Sequence, residues 1–169
     1  SKRAVISVVA GIVLALITLR VNSKDVGTLC LPHEKTIFSF KVENSAKIAS
    51  VCEGSMGSYL VYRFGRPNGI ELVYPTTQDA RSWDAFTLGA YARGGGVKND
   101  AMGDYSLAFV NAGVEYVVYQ SWRSAQGDYS IGITVNGPGK VGVAMKGDLG
   151  SQVGALTLLD NNPRLLNSW

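Results

Sequence analysis

From Thr36 onward, apolar and polar residues alternate with a period of two, and turn residues interrupt the pattern at short intervals. That period puts successive side chains on opposite faces of an extended chain, so it predicts strands rather than helices. The stretch TIFSFKV sets Ile37, Ser39 and Lys41 against Phe38, Phe40 and Val42; KIASVC and YLVYRFG follow as second and third strands, separated by ENSAK and GSMGS. RPNG predicts a tight turn, because proline presets one dihedral and Asn-Gly accepts positive φ, and IELVYP then closes a hairpin. TTQDARSWDAF is the least strand-like part, where Thr77 or Asp79 can cap a short helical turn. TLGAYARG resumes the alternation. SLAFVNAGVEYVVYQSW reads as a hairpin about Asn111-Ala112-Gly113, and DYSIGITVNGPGKVGVAMKG as another about NGPG. SQVGALTLLDNN reads as a final strand or a short helix, and PRLLNSW as a tail.

About nine short strands with short connections predict an all-β domain over residues 36–160. The expected form is an antiparallel meander closing into a small barrel or a two-sheet sandwich, since either protects strand edges. Gly89, Gly132 and Gly142 fall within strand patterns and mark expected bulges or close sheet contacts.

A different pattern precedes this domain. Ala4 to Leu19 is a sixteen-residue run without charge, bounded by Lys2, Arg3 and Arg20. Charged side chains are costly in hydrocarbon, so the run reads as an N-terminal transmembrane helix or as the core of a signal peptide. No Ala-x-Ala site follows it, which favours a retained anchor; secretion to the periplasm after cleavage is the alternative. The expected organisation is therefore residues 1–22 as anchor or signal, 23–35 as linker, 36–160 as β domain and 161–169 as C-terminal tail. Basic residues at the extreme N-terminus predict that this end stays in the cytoplasm of a bacterial cell, with the body on the periplasmic side of the inner membrane.

Cys30 and Cys52 are the two cysteines, both in the exported part. An even count in an oxidising compartment favours one disulfide. It would close a loop worth about 3 kcal/mol in the chain-entropy model. The net charge of +3 and the lack of any basic run longer than two residues argue against nucleic acid as a partner.

Catalytic sets are hard to build from these residues. His33 is the single histidine and falls in the expected linker, where it reads as a solvated loop side chain. The acids Glu53, Glu71, Asp84, Asp104, Glu115 and Asp128 show no spacing that pairs them, and Asn99, Asp100 and Asp104 lack the order of a calcium loop. No catalytic residue, metal site or cofactor is assigned.

The stretch YARGGGVKND has no hydroxyl after Lys98, and a strand rather than a helix follows it, so it fits neither kind of nucleotide loop. It reads as a glycine-rich connection, Gly94, Gly95 and Gly96, flanked by Arg93 and Lys98 and suited to an acidic partner. Arg63, Trp122 and Arg123 join these as candidate partner-binding residues if their strands are adjacent, because Trp, Tyr and Arg dominate binding hot spots.

The ordered set IFSFK, ASVC, YLVYRFG, IELVYP, ARGGG, LAFVNAGVEYVVY and MKGDLGS resembles a family of small exported bacterial proteins. The resemblance covers about Cys30 to Leu159. It implies an envelope location, a β-rich domain and an early cysteine pair, and it carries over no catalytic residue. The chain is similar more loosely to periplasmic lysozyme inhibitors, which insert a loop into an acidic cleft; their Ser-Gly and Trp-Lys-Gly motifs are absent here. The expected function is a non-enzymatic envelope module that binds another protein, for instance as an inhibitor of a cell-wall enzyme. The alternatives are a structural or accessory subunit of a larger membrane or surface assembly, and a wall-polysaccharide hydrolase.

Overall fold

The computed structural model describes residues 27–97, 99–139 and 142–167. The anchor expected over Ala4–Leu19 lies outside the described residues. Among those described, no helix is long and apolar enough to cross a membrane.

The alternating segments form strands in the order expected. β1 (Lys35–Lys41), β2 (Ile48–Glu53), β3 (Leu60–Arg66) and β4 (Gly69–Tyr74) make one antiparallel meander. β5 (Thr87–Arg93), β6 (Met102–Asn111), β7 (Val114–Arg123), β8 (Asp128–Asn136) and β9 (Val143–Lys146) make a second. Two short strands complete the edges: β10 (Val153–Gly154) joins β1, and β11 (Leu166–Asn167) runs parallel to β5. The described strands thus form two sheets rather than a closed barrel. One corner is stitched by a bridge between Val42 and Gly147, with Glu43 N–H donating to Lys146 O at 2.9 Å.

Local chemistry accounts for the connections. Ala112 and Gly113 both have positive φ, 51° and 77°, which gives the two-residue turn whose twist matches the flanking strands. Asp79 caps the 3-10 turn Ala80–Ala85 by accepting from Arg81 N–H. SQVGALTLLDNN contains both expected forms: β10, then a 3-10 turn over Leu156–Leu159. The expected tail also packs, for Leu165 is buried in the core.

The two sheets enclose one core. In the first, Phe38, Val51, Tyr62 and Tyr74 form a row across β1 to β4, and Phe40, Ala49, Phe64 and Leu72 form the next. In the second, Leu88, Leu107, Val118 and Ile133 face them. Phe109 links the sheets: it stacks on Tyr74 at 4.4 Å and on Tyr116 at 5.0 Å, with Phe86 edge-on. Such aromatic pairs add about 0.5–1.5 kcal/mol each beyond simple burial.

The first sheet departs from simple alternation. Ser39, Ser50 and Arg63 form a row on its outer face, yet all three are buried. Residues 27–34, within the expected linker, lie over them. Ser39 Oγ donates to Gly27 O at 2.7 Å, and Leu29 N–H donates to Ser50 Oγ at 2.8 Å. The Cys30–Cys52 disulfide ties the same segment to β2. Arg63 gives Glu34 a bidentate pair at 2.6 and 2.8 Å, with the Glu34 side chain fully enclosed. Tyr59 O–H and Leu31 N–H donate to the same carboxylate, both at 2.7 Å. Burial alone would push the Glu34 carboxyl up; donation from Arg63, Leu31 and Tyr59 outweighs it and holds the group below the ordinary carboxylate value.

Breaking a buried pair by removing one partner's charge costs about 3–5 kcal/mol, so Glu34→Gln should lose that much stability in urea unfolding at neutral pH. Because the folded-state value is the lower one, the pair's contribution is complete above the ordinary carboxylate range. It is lost as pH falls through the lowered value, so the gap between wild type and Glu34→Gln should narrow on acidification. Reducing the disulfide should cost a further ~3 kcal/mol and deprotect residues 28–34 in amide exchange.

Candidate functional site

The strands that carry Arg93, Trp122 and Arg123 are adjacent, in the order β5, β6, β7. Register sets Arg93 opposite Met102 and Met102 opposite Arg123, so both arginines lie in one row on the outer face of the second sheet. Tyr91 and Asp104 occupy the next row. Asp104 accepts from Ser121 Oγ at 2.7 Å and from Arg123 Nη2 at 2.9 Å. Donation from Ser121 is the largest effect, and with the added contribution of Arg123 it holds the carboxyl below the usual value against burial, which pushes it up. Arg123 is therefore a partly neutralised cation, whereas Arg93 is exposed and, among the described residues, bonds only through its Nε, to Asp100 O at 3.1 Å.

The connection after Arg93 closes on itself. Gly96 N–H donates to Asn99 O at 2.8 Å and Asn99 N–H to Gly96 O at 3.3 Å, which leaves Val97 fully exposed at the tip. Gly94 and Gly96 have open space where a side chain would be, so a partner can approach their backbone closely. Lys98 lies outside the described residues. Arg63 belongs to the other sheet and is held beneath residues 27–34, so it does not join this face.

Trp122 points the other way. Its row is Ala92, Gly103, Trp122 and Tyr129, on the core face but beyond Gln120, near the end of the sheet. A Cβ at Gly103 would lie 2.1 Å from the Trp122 ring, so the indole lies down over the glycine. It is parallel to Tyr105 within 10°, with centroids 5.7 Å apart. An aromatic side chain covering a cross-strand glycine restores the contact that the missing side chain leaves out. Tyr129 stands beside Trp122 on β8, and its hydroxyl accepts from Gln120 Nε2 at 2.8 Å and donates to Gln152 Oε1 at 3.0 Å. Gln120 is buried among apolar neighbours, and its other amide atom accepts from Leu156 N–H at 2.7 Å. Trp122 and Tyr129, with Gln120, Arg123, Ser124, Gly127 and Asp128, line an open, mainly apolar cavity of about 400 Å³.

A second cavity, of about 520 Å³, brings Asp84 and Glu115 together beside Tyr74 and Phe109. Glu115 accepts there from Asn136 Nδ2 at 2.9 Å. His33 is exposed and lies 3.3 Å from the Tyr59 hydroxyl, far along the chain from either cavity's residues. Cys30 and Cys52 approach Glu34 closely, but as a disulfide they offer no thiolate to a metal.

Comparison of the chain with protein-family models, with curated proteins and with solved structures gives no match. The site therefore stands on its geometry. Sequence reading placed Trp122 and Arg123 together as neighbours, although strand alternation sends them to opposite faces. It did not single out Gly103, Gln120 or Tyr129 for this end, since each acquires its role through cross-strand register. The paired signal was present in hindsight as a glycine and an aromatic in consecutive strands.

Gly103→Ala tests the seat of the indole. The added methyl group must lift the ring, which should cost about 1–3 kcal/mol, the usual range for overpacking. Trp122 emission should shift to the red, and the shift should vanish in a Trp122→Phe background.

Proposed function

We propose that this chain is a non-enzymatic binding module of the cell envelope, held by its N-terminal apolar run at the inner membrane, with the β domain on the periplasmic side. Its partner is another protein, received on the outer face of β5 to β7. The observation that carries this reading is the transverse row of Arg93, Met102 and Arg123 beside exposed Tyr91, next to a hairpin that presents open glycine backbone and Val97. Tyr and Arg at a rigid sheet end, flanked by a small apolar tip, are the residue types that anchor protein interfaces. The disulfide is compatible with an oxidising compartment such as this location. Arg93, with its guanidinium mostly free, favours an acidic counterpart; such a charge acts chiefly on encounter and specificity.

Tyr91→Ala combined with Arg93→Glu tests the reading, because both side chains are exposed and substitutions there change stability by roughly 0.5 kcal/mol or less. The full chain, extracted from membranes and used for affinity capture, should retain an envelope protein that the double variant retains at least about tenfold less. Equal recovery by both would remove this face as the interface.

A second reading, a wall-polysaccharide hydrolase, is favoured by one observation: Asp84 and Glu115 share a cavity with aromatic walls. It requires that peptidoglycan fragments are turned over by the wild type and not by Asp84→Asn or Glu115→Gln.

A further inference from the structure

We propose that the cavity at the end of β7 and β8 is a binding site for a neutral saccharide unit, seated on Trp122 and Tyr129. Its aromatic floor is on the core face of the second sheet and the arginine row on the outer face, although Arg123 also borders the cavity; the proposal does not depend on the protein-binding reading above.

The shape comes first. Trp122 and Tyr129 are cross-strand neighbours on one face, and such neighbours have Cβ atoms roughly 4.5–5.5 Å apart. Because position 103 is glycine, the indole lies flat against the sheet instead of standing on edge. Its sheet-side face is covered by Gly103, and its opposite face looks into the cavity. The Tyr129 ring is held beside it by the hydroxyl, fixed between Gln120 and Gln152. The result is a floor two aromatic residues wide, with little rotamer freedom left to lose on binding. A cavity of about 400 Å³ is within the size range of small-molecule sites.

The rim decides the chemistry. The Trp122 Nε1–H and the Ser124 hydroxyl make no hydrogen bond to another described residue. They offer a donor and a group of either kind beside an apolar floor. A pyranose ring matches that mixed set, since one face presents C–H groups to aromatic π-clouds while its hydroxyls both donate and accept. An anionic ligand fits less well, because Arg123, which borders the cavity, is engaged by Asp104. An aliphatic ligand would leave the rim groups buried without partners, which is costly.

The test is a titration of the full chain with three probes, chitotriose, cellotriose and maltotriose, followed through the indole N–H resonances. Trp122→Phe assigns the reporter among the three tryptophans. Saturable movement of the Trp122 signal with at least one probe, weakened about tenfold or more in Tyr129→Ala, is the result expected for a hot-spot ring. Tyr129→Phe keeps the floor and should bind within a few fold of wild type, and Ser124→Ala should weaken binding without disturbing the fold. These two variants keep the test valid if Tyr129→Ala does not fold. A Trp122 signal that stays fixed with all three probes up to their solubility limits overturns the proposal, as does undiminished affinity in a folded Tyr129→Ala. If Tyr129→Phe or Ser124→Ala abolishes capture of the envelope protein while no sugar moves Trp122, the cavity belongs to a protein interface and the saccharide assignment falls.

Discussion

The first sheet has two buried faces, and the Arg63–Glu34 pair is what makes the second one tenable. An arginine in an interior strand of a covered sheet cannot be neutralised by losing its proton, so it needs a carboxylate in bidentate contact. Glu34 supplies it, fully enclosed and bonded by four donors. To deliver Glu34 the chain must cross β3, and to reach that point from Gly27 it must run over Ser39, whose hydroxyl donates to Gly27 O, and Ser50, whose hydroxyl accepts from Leu29 N–H. The disulfide to Cys52 fastens the same crossing. Residues 27–34 are thus a third layer over the sheet, and the core rows beneath depend on a polar seam above them.

The second sheet is covered differently, and its candidate sites follow from that difference. Its core face is sealed near β4 by the Tyr74, Phe86, Phe109 and Tyr116 cluster. At the other end Gln120 closes the core by holding Leu156 N–H, and everything beyond it, Trp122 and Tyr129 included, faces an open cavity. On the outer face no described residue covers the arginine row and the glycine hairpin in this way. One strand, β7, therefore serves the core with Val118, the cavity with Trp122 and the outer face with Arg123, as alternation dictates.

Much of this was legible in the chain. Period-two patterning located the principal strands, because a half-buried strand must alternate whatever its partners are. Asn111-Ala112-Gly113 and RPNG marked hairpins through backbone preferences that are local. The cysteine pair was readable from count and compartment. Arg63 was misjudged as a surface cation for a physical reason: alternation identifies the face opposite Phe64 and Tyr62 but not whether another segment covers it. The same blindness hid the packing of residues 27–34, which carry no strand pattern, and of Leu165 in what reads as a tail. Gly103 and Gln120 were unremarkable in sequence because their meaning lies in the residue across the strand.

The sequence by itself thus determined the all-β class, the order of strands and turns, and the pairing of the two cysteines, since period, turn chemistry and count are local or additive properties. Tertiary structure alone decided that the strands divide into two sheets instead of closing, that Arg63 is buried, and that Trp122 lies flat beside Tyr129. Those outcomes depend on register and on coverage by segments far away in the chain, which no single stretch of residues encodes.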